Sequence, residues 1–265
     1  TGALGGTRLD AVTITAGGGI ELSGNITAGQ DAGAVTFNNA VTLLAGISIN
    51  TDSSNDGAVN FNSTLDGNFD LTIDAGSAAV RFSGAIGGLT RLGDGVGPAL
   101  SLTAAAGGVT FDELVRLASG LSSPDDATPI TFNDDVQILA GDTGTTIAAN
   151  VLRMNGLTFT SAGAVMLGDD LSDVLTIDEA AVVVDTSAAG TAITVNAIVR
   201  ANDDNETALS VSAGTGDVAF EAAIGDTMTK ALRTLTISGR HVSVEQIGVS
   251  ASTTADQTGV AGTTS

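Results

Sequence analysis

Short runs in which apolar and polar residues alternate recur along the whole chain. In the clearest of them, Leu209 and Val211 flank Ser210, and after a glycine turn four apolar residues occupy every second position. These four residues are Val218, Phe220, Ala222 and Ile224. A period of two places one set of side chains on one face of a strand, so the pattern predicts half-buried β-strands separated by glycine-rich turns.

The same two-strand unit occurs more than once. The segment 70–87 aligns with 208–225 without a gap, and eight of the eighteen aligned positions are identical. The segment 99–115 follows the same template, with Gly107-Gly108 as its turn. The chain is therefore built from internal repeats.

Phenylalanine marks the repeats most clearly. Seven of the eight Phe residues follow an aliphatic residue at a distance of two, so we expect one structural position for all seven. They are Phe37, Phe61, Phe82, Phe111, Phe132, Phe159 and Phe220, and only Phe69 lies outside the pattern. The same position is expected to be filled by aliphatic pairs in other repeats, namely Ile20/Leu22, Val165/Leu167, Val182/Val184 and Val242/Val244. Intervals of 20 to 30 residues are typical of stacked-repeat architectures.

These patterns predict an all-β fold, a right-handed parallel β-helix (β-solenoid) of roughly ten irregular coils. Residues 1–249 are expected to form one solenoid domain, and the Thr/Ser/Gly-rich stretch 250–265 a linker or connecting tail. The 35 Gly residues disfavour helix, although 111–120 is compatible with either a short helix or continued coil. An array of small β-sandwich domains is the rival architecture.

The chain is strongly acidic, with 30 Asp and Glu against 9 Lys and Arg and a net charge of −21. This charge excludes nucleic acid as a partner, because a phosphate backbone needs a basic surface. Carboxylates stacked about 4.8 Å apart would repel by roughly 0.9 kcal/mol per pair even in water. We therefore expect the acids to lie in loops or to be staggered between turns.

Acidic clusters are the first candidates for a site, since calcium prefers oxygen ligands. They are Asp52/Asp56, Asp125/Asp126, Asp169/Asp170/Asp173 and Asp203/Asp204/Glu206. None has the spacing of an EF-hand or of a calcium β-roll, so solvated loop carboxylates are the favoured interpretation, with Asp203 and Asp204 the better of the weak calcium candidates.

Catalytic chemistry has little support in the sequence. His241 is the single histidine and has no Ser or Cys partner suggested by spacing. Lys230 is the only lysine, and the arginines are scattered singly, whereas a β-helical lyase would combine a basic residue with metal-binding acids. Arg81 lies beside Phe82 on the opposite face, which favours a surface ion pair. We predict no catalytic, cofactor-binding or metal-binding residues.

Other features bear on location. The chain has no Cys, which excludes a disulfide scaffold, and its longest apolar run, near Ala180–Val184, is too short to span a bilayer. The chain begins without Met or a signal peptide, so we expect a processed or excerpted piece of a longer secreted protein.

The repeats at 70–88 and 208–226 resemble those of giant β-strand-repeat surface proteins of bacteria, similar in style to filamentous-haemagglutinin-type adhesins. The resemblance implies a secreted, non-enzymatic structural protein at the cell surface, such as an adhesin segment or a self-assembling fibre. It implies as partners further repeats of a longer chain or copies of itself, end to end or side by side, and surface glycans, without membrane insertion. A carbohydrate-binding or polysaccharide-cleaving β-helix and a calcium-dependent surface-coat protein are the alternatives.

Overall fold

The fold is a parallel β-solenoid of about nine turns. The structure is a computed structural model that describes residues 8–29, 31–123, 126–139, 144–179, 181–203, 206–225 and 230–248. Every strand pairing in these ranges is parallel, and no helix occurs in them. This excludes β-sandwich domains for the described chain, because their sheets are antiparallel. The handedness of the coil stays a prediction.

Most turns of the solenoid contribute one strand to each of three faces. Face one contains β1 (Val12–Ile14), β4 (Val35–Phe37), β7 (Val59–Phe61), β10 (Val80–Phe82), β12 (Val109–Phe111), β15 (Asp126–Phe132), β18 (Ala149–Asn155), β21 (Asp173–Asp178) and β24 (Ala197–Ala201). Face two contains β2 (Ile20–Leu22), β5 (Val41–Leu43), β8 (Leu65–Asp66), β13 (Val115–Leu117), β16 (Val136–Ile138), β19 (Thr158–Ser161), β22 (Ala181–Asp185), β25 (Ala208–Ser212) and β27 (Thr234–Ser238).

Face three contains β3 (Ile26–Thr27), β6 (Ile47–Asn50), β9 (Leu71–Asp74), β11 (Leu100–Ala104), β14 (Leu121–Ser122), β17 (Thr145–Ile147), β20 (Val165–Leu167), β23 (Ile193–Val195), β26 (Val218–Ile224) and β28 (Val242–Ile247). The C-terminal ends of β26 and β28 extend into face one, where Ile224 pairs with Val199. Faces one and three therefore form one 19-stranded sheet, and face two contains a 3-stranded and a 6-stranded sheet bridged by Ile86.

One core runs through the stack, built from the alternate residues of all three faces. In β4, for example, Val35 and Phe37 are fully buried while Thr36 is partly exposed, and the same alternation holds in β7 and β12. The segment 111–120 belongs to this pattern as well, since β13 occupies 115–117, so the continued coil is confirmed there and the helix is not formed.

Five phenylalanines form a continuous column on face one, which we call the Phe row: Phe37, Phe61, Phe82, Phe111 and Phe132. Neighbouring rings stack with centroids 4.7 to 5.1 Å apart and planes within 23° of parallel. Stacking of this kind adds about 0.5–1.5 kcal/mol per pair beyond burial of the rings, so the row stabilises one register of the turns.

The prediction that seven phenylalanines share one position is wrong for the other two. Phe159 pairs with Val136 and Val184 on face two, and Phe220 pairs with Val195 and Val244 on face three. The aliphatic pairs expected to continue the Phe row also lie on faces two and three. On face one the row continues instead through Met154, Ile177 and Ala201.

The sequence repeat and the structural turn are therefore different units. In the alignment of 70–87 with 208–225, Leu71 lies on face three and its counterpart Leu209 on face two, while Phe82 lies on face one and Phe220 on face three. The two copies are displaced by one face. The repeat comprises two strands and a turn, whereas a full turn of the solenoid takes three strands.

Two glycines show how closely successive turns approach at one corner. A Cβ built on Gly57 would lie 2.1 Å from the carbonyl oxygen of Gly33, and one built on Gly33 would lie 1.8 Å from that of Asp10. Such distances are far below van der Waals contact, so the corner requires residues without a side chain.

Candidate functional site

The most regular polar feature is a column of side chains at the corner that follows face one. We call it the corner column; it comprises the residue directly after each member of the Phe row, after Ile14, which pairs with Phe37 at the start of the row, and after Met154, Ile177 and Ala201, which continue it. Its members are Thr15, Asn38, Asn62, Ser83, Asp112, Asn133, Asn155, Asp178 and Asn202.

Amide side chains in the corner column hydrogen-bond from turn to turn. Asn62 donates to Asn38 and Asn38 donates to Thr15, each at 2.9 Å. Asn155 donates to Asn133 at 2.5 Å, and Asn133 donates to Asp112 at 3.2 Å. The amide groups thus bond along the axis of the solenoid, as in the Asn ladders of stacked parallel strands.

The carboxylates of the corner column are kept apart by neutral neighbours. Asp112 lies between Ser83 and Asn133, and Asp178 lies between Asn155 and Asn202. For these two residues the expected staggering of acids between turns is confirmed.

Arginines on face one neutralise the same two carboxylates. Arg81 Nε lies 2.8 Å from Asp112 Oδ2, which confirms the predicted surface ion pair of Arg81. Arg153 Nη1 lies 2.8 Å from Asp178 Oδ2 and also donates to Asn202 at 3.4 Å. Both arginines are substantially exposed, so each pair contributes little to stability.

The acidic clusters use their carboxylates to hold loop backbone. Asp173 accepts hydrogen bonds from the backbone N–H groups of Asp169 and Asp170, and Asp170 accepts two from Ser172. The hydrogen bonds from Ser172 lower the pKa of Asp170. The described part of the chain contains no group of three His, Asp or Glu side chains arranged to hold a metal ion. Asp125 and Asp204, and the side chain of Asp126, lie outside the described residues.

Asp52 and Asp56 experience opposite electrostatic environments although they are four residues apart. Asp56 accepts from the backbone N–H of Ser53 and from the backbone N–H and hydroxyl of Ser77 at 2.6 to 2.7 Å, and these bonds lower the pKa of Asp56 to about 2. The pKa of Asp52 is raised, first by desolvation and then by the nearby carboxylates of Asp74 and Asp56. The cluster binds the next turn of the chain through Ser77.

His241 is exposed and directly precedes β28, as the sequence predicts. It lies close to Asp217, whose pKa is lowered first by its hydrogen bond with Arg240 and to a smaller extent by His241. No described Ser hydroxyl donates to it, so no nucleophile and base are brought together at this position.

Two clefts lie next to each other on the surface. One, of about 600 Å³, is lined by Asn133, Asn155, Gly156, Glu179 and Ala181. The other is lined by Asp178, Glu179, Asp203, Glu206 and Thr207. Among the described residues, neither lining includes an Arg, Lys or His, although Arg153 forms an ion pair with Asp178, which lines the second cleft.

The proximity of two arginines cannot be recognised from their spacing in the sequence. Arg91 and Arg116 are far apart in the chain, but the structure places them side by side on face two, so these two arginines are not scattered singly. The signal available in the sequence was the 29-residue interval between Phe82 and Phe111, which marks an inserted loop, but nothing in it indicates where the loop folds.

Comparison with known proteins identifies no relative of this chain. No protein-family model matches it, no curated protein matches it, and no solved structure matches it. Within the described residues no helix has the length and apolar character needed to cross a membrane.

Proposed function

We propose that this protein is a non-enzymatic structural segment of a bacterial surface adhesin or fibre, acting outside the cell as a stiff spacer that stacks onto further solenoid turns. Its partners are further repeats of a longer chain or other copies of itself. The shape supports this role, because about nine turns at roughly 4.8 Å each make a rod of about 45 Å with one core.

The observation that carries the proposal is the open edge of β28. β28 pairs with β26 on one side, and the strand pairings of the described residues include none to its other side. Its inward positions are apolar but poorly covered, with Val242 41% exposed and Ile247 48% exposed, whereas equivalent residues in earlier turns are buried. An uncovered apolar strand edge is a template for pairing with another strand.

The hydrogen-bonding pattern shows which groups the edge offers. Along face one, inward residues such as Val35 and Val59 donate their N–H to the following turn. On face three His241 uses its carbonyl to accept from Val218 of the preceding turn. By this alternation the N–H of Val242 faces the open side, where a strand of the next turn would accept it.

The proposal is tested by placing a charge on either side of β28. Val242→Lys puts an ammonium group at the inward, open edge, whereas Ser243→Lys puts the same charge on the exposed outer side of the same strand. We expect the wild-type protein and Ser243→Lys to form rods of increasing length with concentration, seen by sedimentation velocity and electron microscopy, and Val242→Lys to stay monomeric. A monodisperse wild-type monomer at high concentration, with and without calcium, would contradict the self-association.

A further inference from the structure

Arg91 and Arg116 converge on face two through the inserted loop of the longest turn. Ile86 pairs with Val115 and Leu92 pairs with Leu117, so the residues between Ile86 and Leu92 loop out from the face and return to it. Arg91 thereby lies against Arg116, which occupies the outward position of β13.

The loop between Ile86 and Leu92 is held in place by its backbone. The backbone N–H groups of Leu89 and Thr90 donate to Asp66 Oδ1 at 2.8 and 3.0 Å, and Asp66 is buried. Gly87 has a φ of 69°, and a Cβ there would lie 2.0 Å from the carbonyl oxygen of Arg116. The position of Arg91 over the face is therefore built into the turn.

In the part of the chain that the structure describes, neither guanidinium group has a carboxylate partner. Arg91 Nη1 donates to the carbonyl oxygens of Gln137 at 3.1 Å and Leu117 at 3.5 Å, and Arg116 Nη1 donates to that of Gly88 at 3.2 Å. Among the described residues these are the only hydrogen bonds of the two side chains, although each guanidinium carries five N–H donors. Arg116 Nε is buried without any partner.

The lack of a carboxylate partner at these two arginines is unusual in a chain with 21 excess negative charges. Three other arginines take a carboxylate: Arg81 pairs with Asp112, Arg153 with Asp178 and Arg240 with Asp217. Partial burial and then the charge of Arg116 lower the pKa of Arg91. An anion placed between the two groups would remove the repulsion and satisfy the free donors.

A free amide adds to the site. Gln137 is the partner of Arg116 in the parallel ladder, on the outward side of β16, and its side chain makes no hydrogen bond to any described residue. Leu89, at the tip of the loop, is 93% exposed and offers an apolar rim. The surroundings therefore suit a ligand with one charged group and a partly apolar body.

We propose that Arg91, Arg116 and Gln137 form a binding site for a single oxyanion, a carboxylate or sulfate group, supplied by a sugar acid or by the free inorganic ion. Two guanidinium forks match the planar or tetrahedral oxygens of these groups. The net charge of −21 disfavours a long polyanion at the same place. The site lies apart from β28, so it stands whether or not the solenoid stacks.

The test is a calorimetric titration of the full chain with sodium sulfate and, separately, with glucuronate, at constant ionic strength. Arg91→Gln and Arg116→Gln should each raise the Kd at least tenfold, whereas Arg81→Gln, which removes a more exposed charge on face one, should change it less than twofold. Tighter binding of glucuronate identifies a sugar acid as the source, and tighter binding of sulfate identifies the inorganic ion. Glucose is the neutral control for the sugar ring.

Nuclear magnetic resonance of the wild-type protein gives a readout that does not depend on the variants folding. Saturating sulfate or glucuronate should shift the Nε–Hε resonance of Arg116 and leave that of Arg240 in place. Equal shifts at Arg116 and Arg240 would contradict the proposed site. Equal anion affinity in the Arg91, Arg116 and Arg81 variants would contradict it as well. So would loss of self-association in Arg116→Gln without added anion, because the occupant would then be a carboxylate of a second copy.

Discussion

Phe132 and Phe159 meet edge to face, with ring centroids 6.2 Å apart and ring planes 85° apart. Phe132 is the last aromatic member of the Phe row, and Phe159 comes from face two of the following turn. Met154 takes the next position of the row on face one, in the same turn as Phe159. The large side chain thus passes from face one to face two at this turn, and the core stays filled although the aromatic stack ends.

The Phe row should be a major source of stability. Phe82→Ala in the middle of the stack leaves a cavity between Phe61 and Phe111, and we expect it to lower the free energy of unfolding by about 3–5 kcal/mol. The measurement is urea denaturation followed by far-UV circular dichroism. Phe69→Ala is the matched control, since Phe69 is 39% exposed and outside the row. An equal loss of unfolding free energy in both variants would show that a phenylalanine of the row stabilises the fold no more than an exposed one does.

The corner column should tolerate loss of an amide better than gain of a charge. Asn133→Asp removes the donor to Asp112 and places two carboxylates in neighbouring turns, at a cost of roughly 0.9 kcal/mol from repulsion in addition to the lost hydrogen bond. Asn133→Ala removes the hydrogen bond to Asp112 and the one accepted from Asn155, and it adds no charge. We expect the difference between the two variants to shrink as NaCl is raised from 0.05 to about 1 M, because salt screens exposed charges. A difference that does not depend on salt would contradict the electrostatic explanation.

Asp56 should make stability depend on pH in the acid range. Its pKa in the folded chain is about 2, below the ordinary value of 3.8, so its charged form stabilises the fold above about pH 4 and this contribution is lost as the pH falls toward 2. Asp56→Asn should cost about 1 kcal/mol at pH 7, less than is usual for hydrogen bonds to a charged group, because solvent screens the partly exposed Asp56. Thermal unfolding at several pH values should show the two proteins converging near pH 2. Asp31→Asn is a control, since Asp31 is exposed and only its backbone N–H is hydrogen-bonded.

At the corner where Gly57 approaches Gly33, an added methyl group should destabilise the fold. Gly57→Ala places a Cβ against the carbonyl oxygen of Gly33, and we expect a loss of about 1–3 kcal/mol or more as the turns are forced apart. Gly46→Ala is the matched control, because no atom lies within 4 Å of its Cβ position and its φ is not in the left-handed region. That variant should be neutral or stabilise by up to about 1 kcal/mol. Similar unfolding midpoints for the two variants would contradict the close approach.

Much of the fold could be predicted from local pattern, since the alternation in strands such as β4 and β26 and the 20–30-residue intervals indicate a parallel stack directly. The candidate sites could not. The ion pair of Arg81 follows from its outward position beside Phe82, but the pairing of Arg91 with Arg116 depends on how far one loop extends. The surface role and the adhesin resemblance stay predictions.

What the sequence by itself determined is that strands with one apolar side are stacked in parallel around a single core, because a period of two and repeated short turns leave few other ways to bury those side chains. The tertiary structure alone decided which face each strand joins. All three faces need the same apolar–polar–apolar pattern, so Leu71-Thr-Ile73 on face three and Leu175-Thr-Ile177 on face one look identical in the chain. The two segments lie on different faces because the preceding loops differ in length, so the chain has turned a different number of corners before each strand. The contacts between neighbouring turns determine where each corner lies.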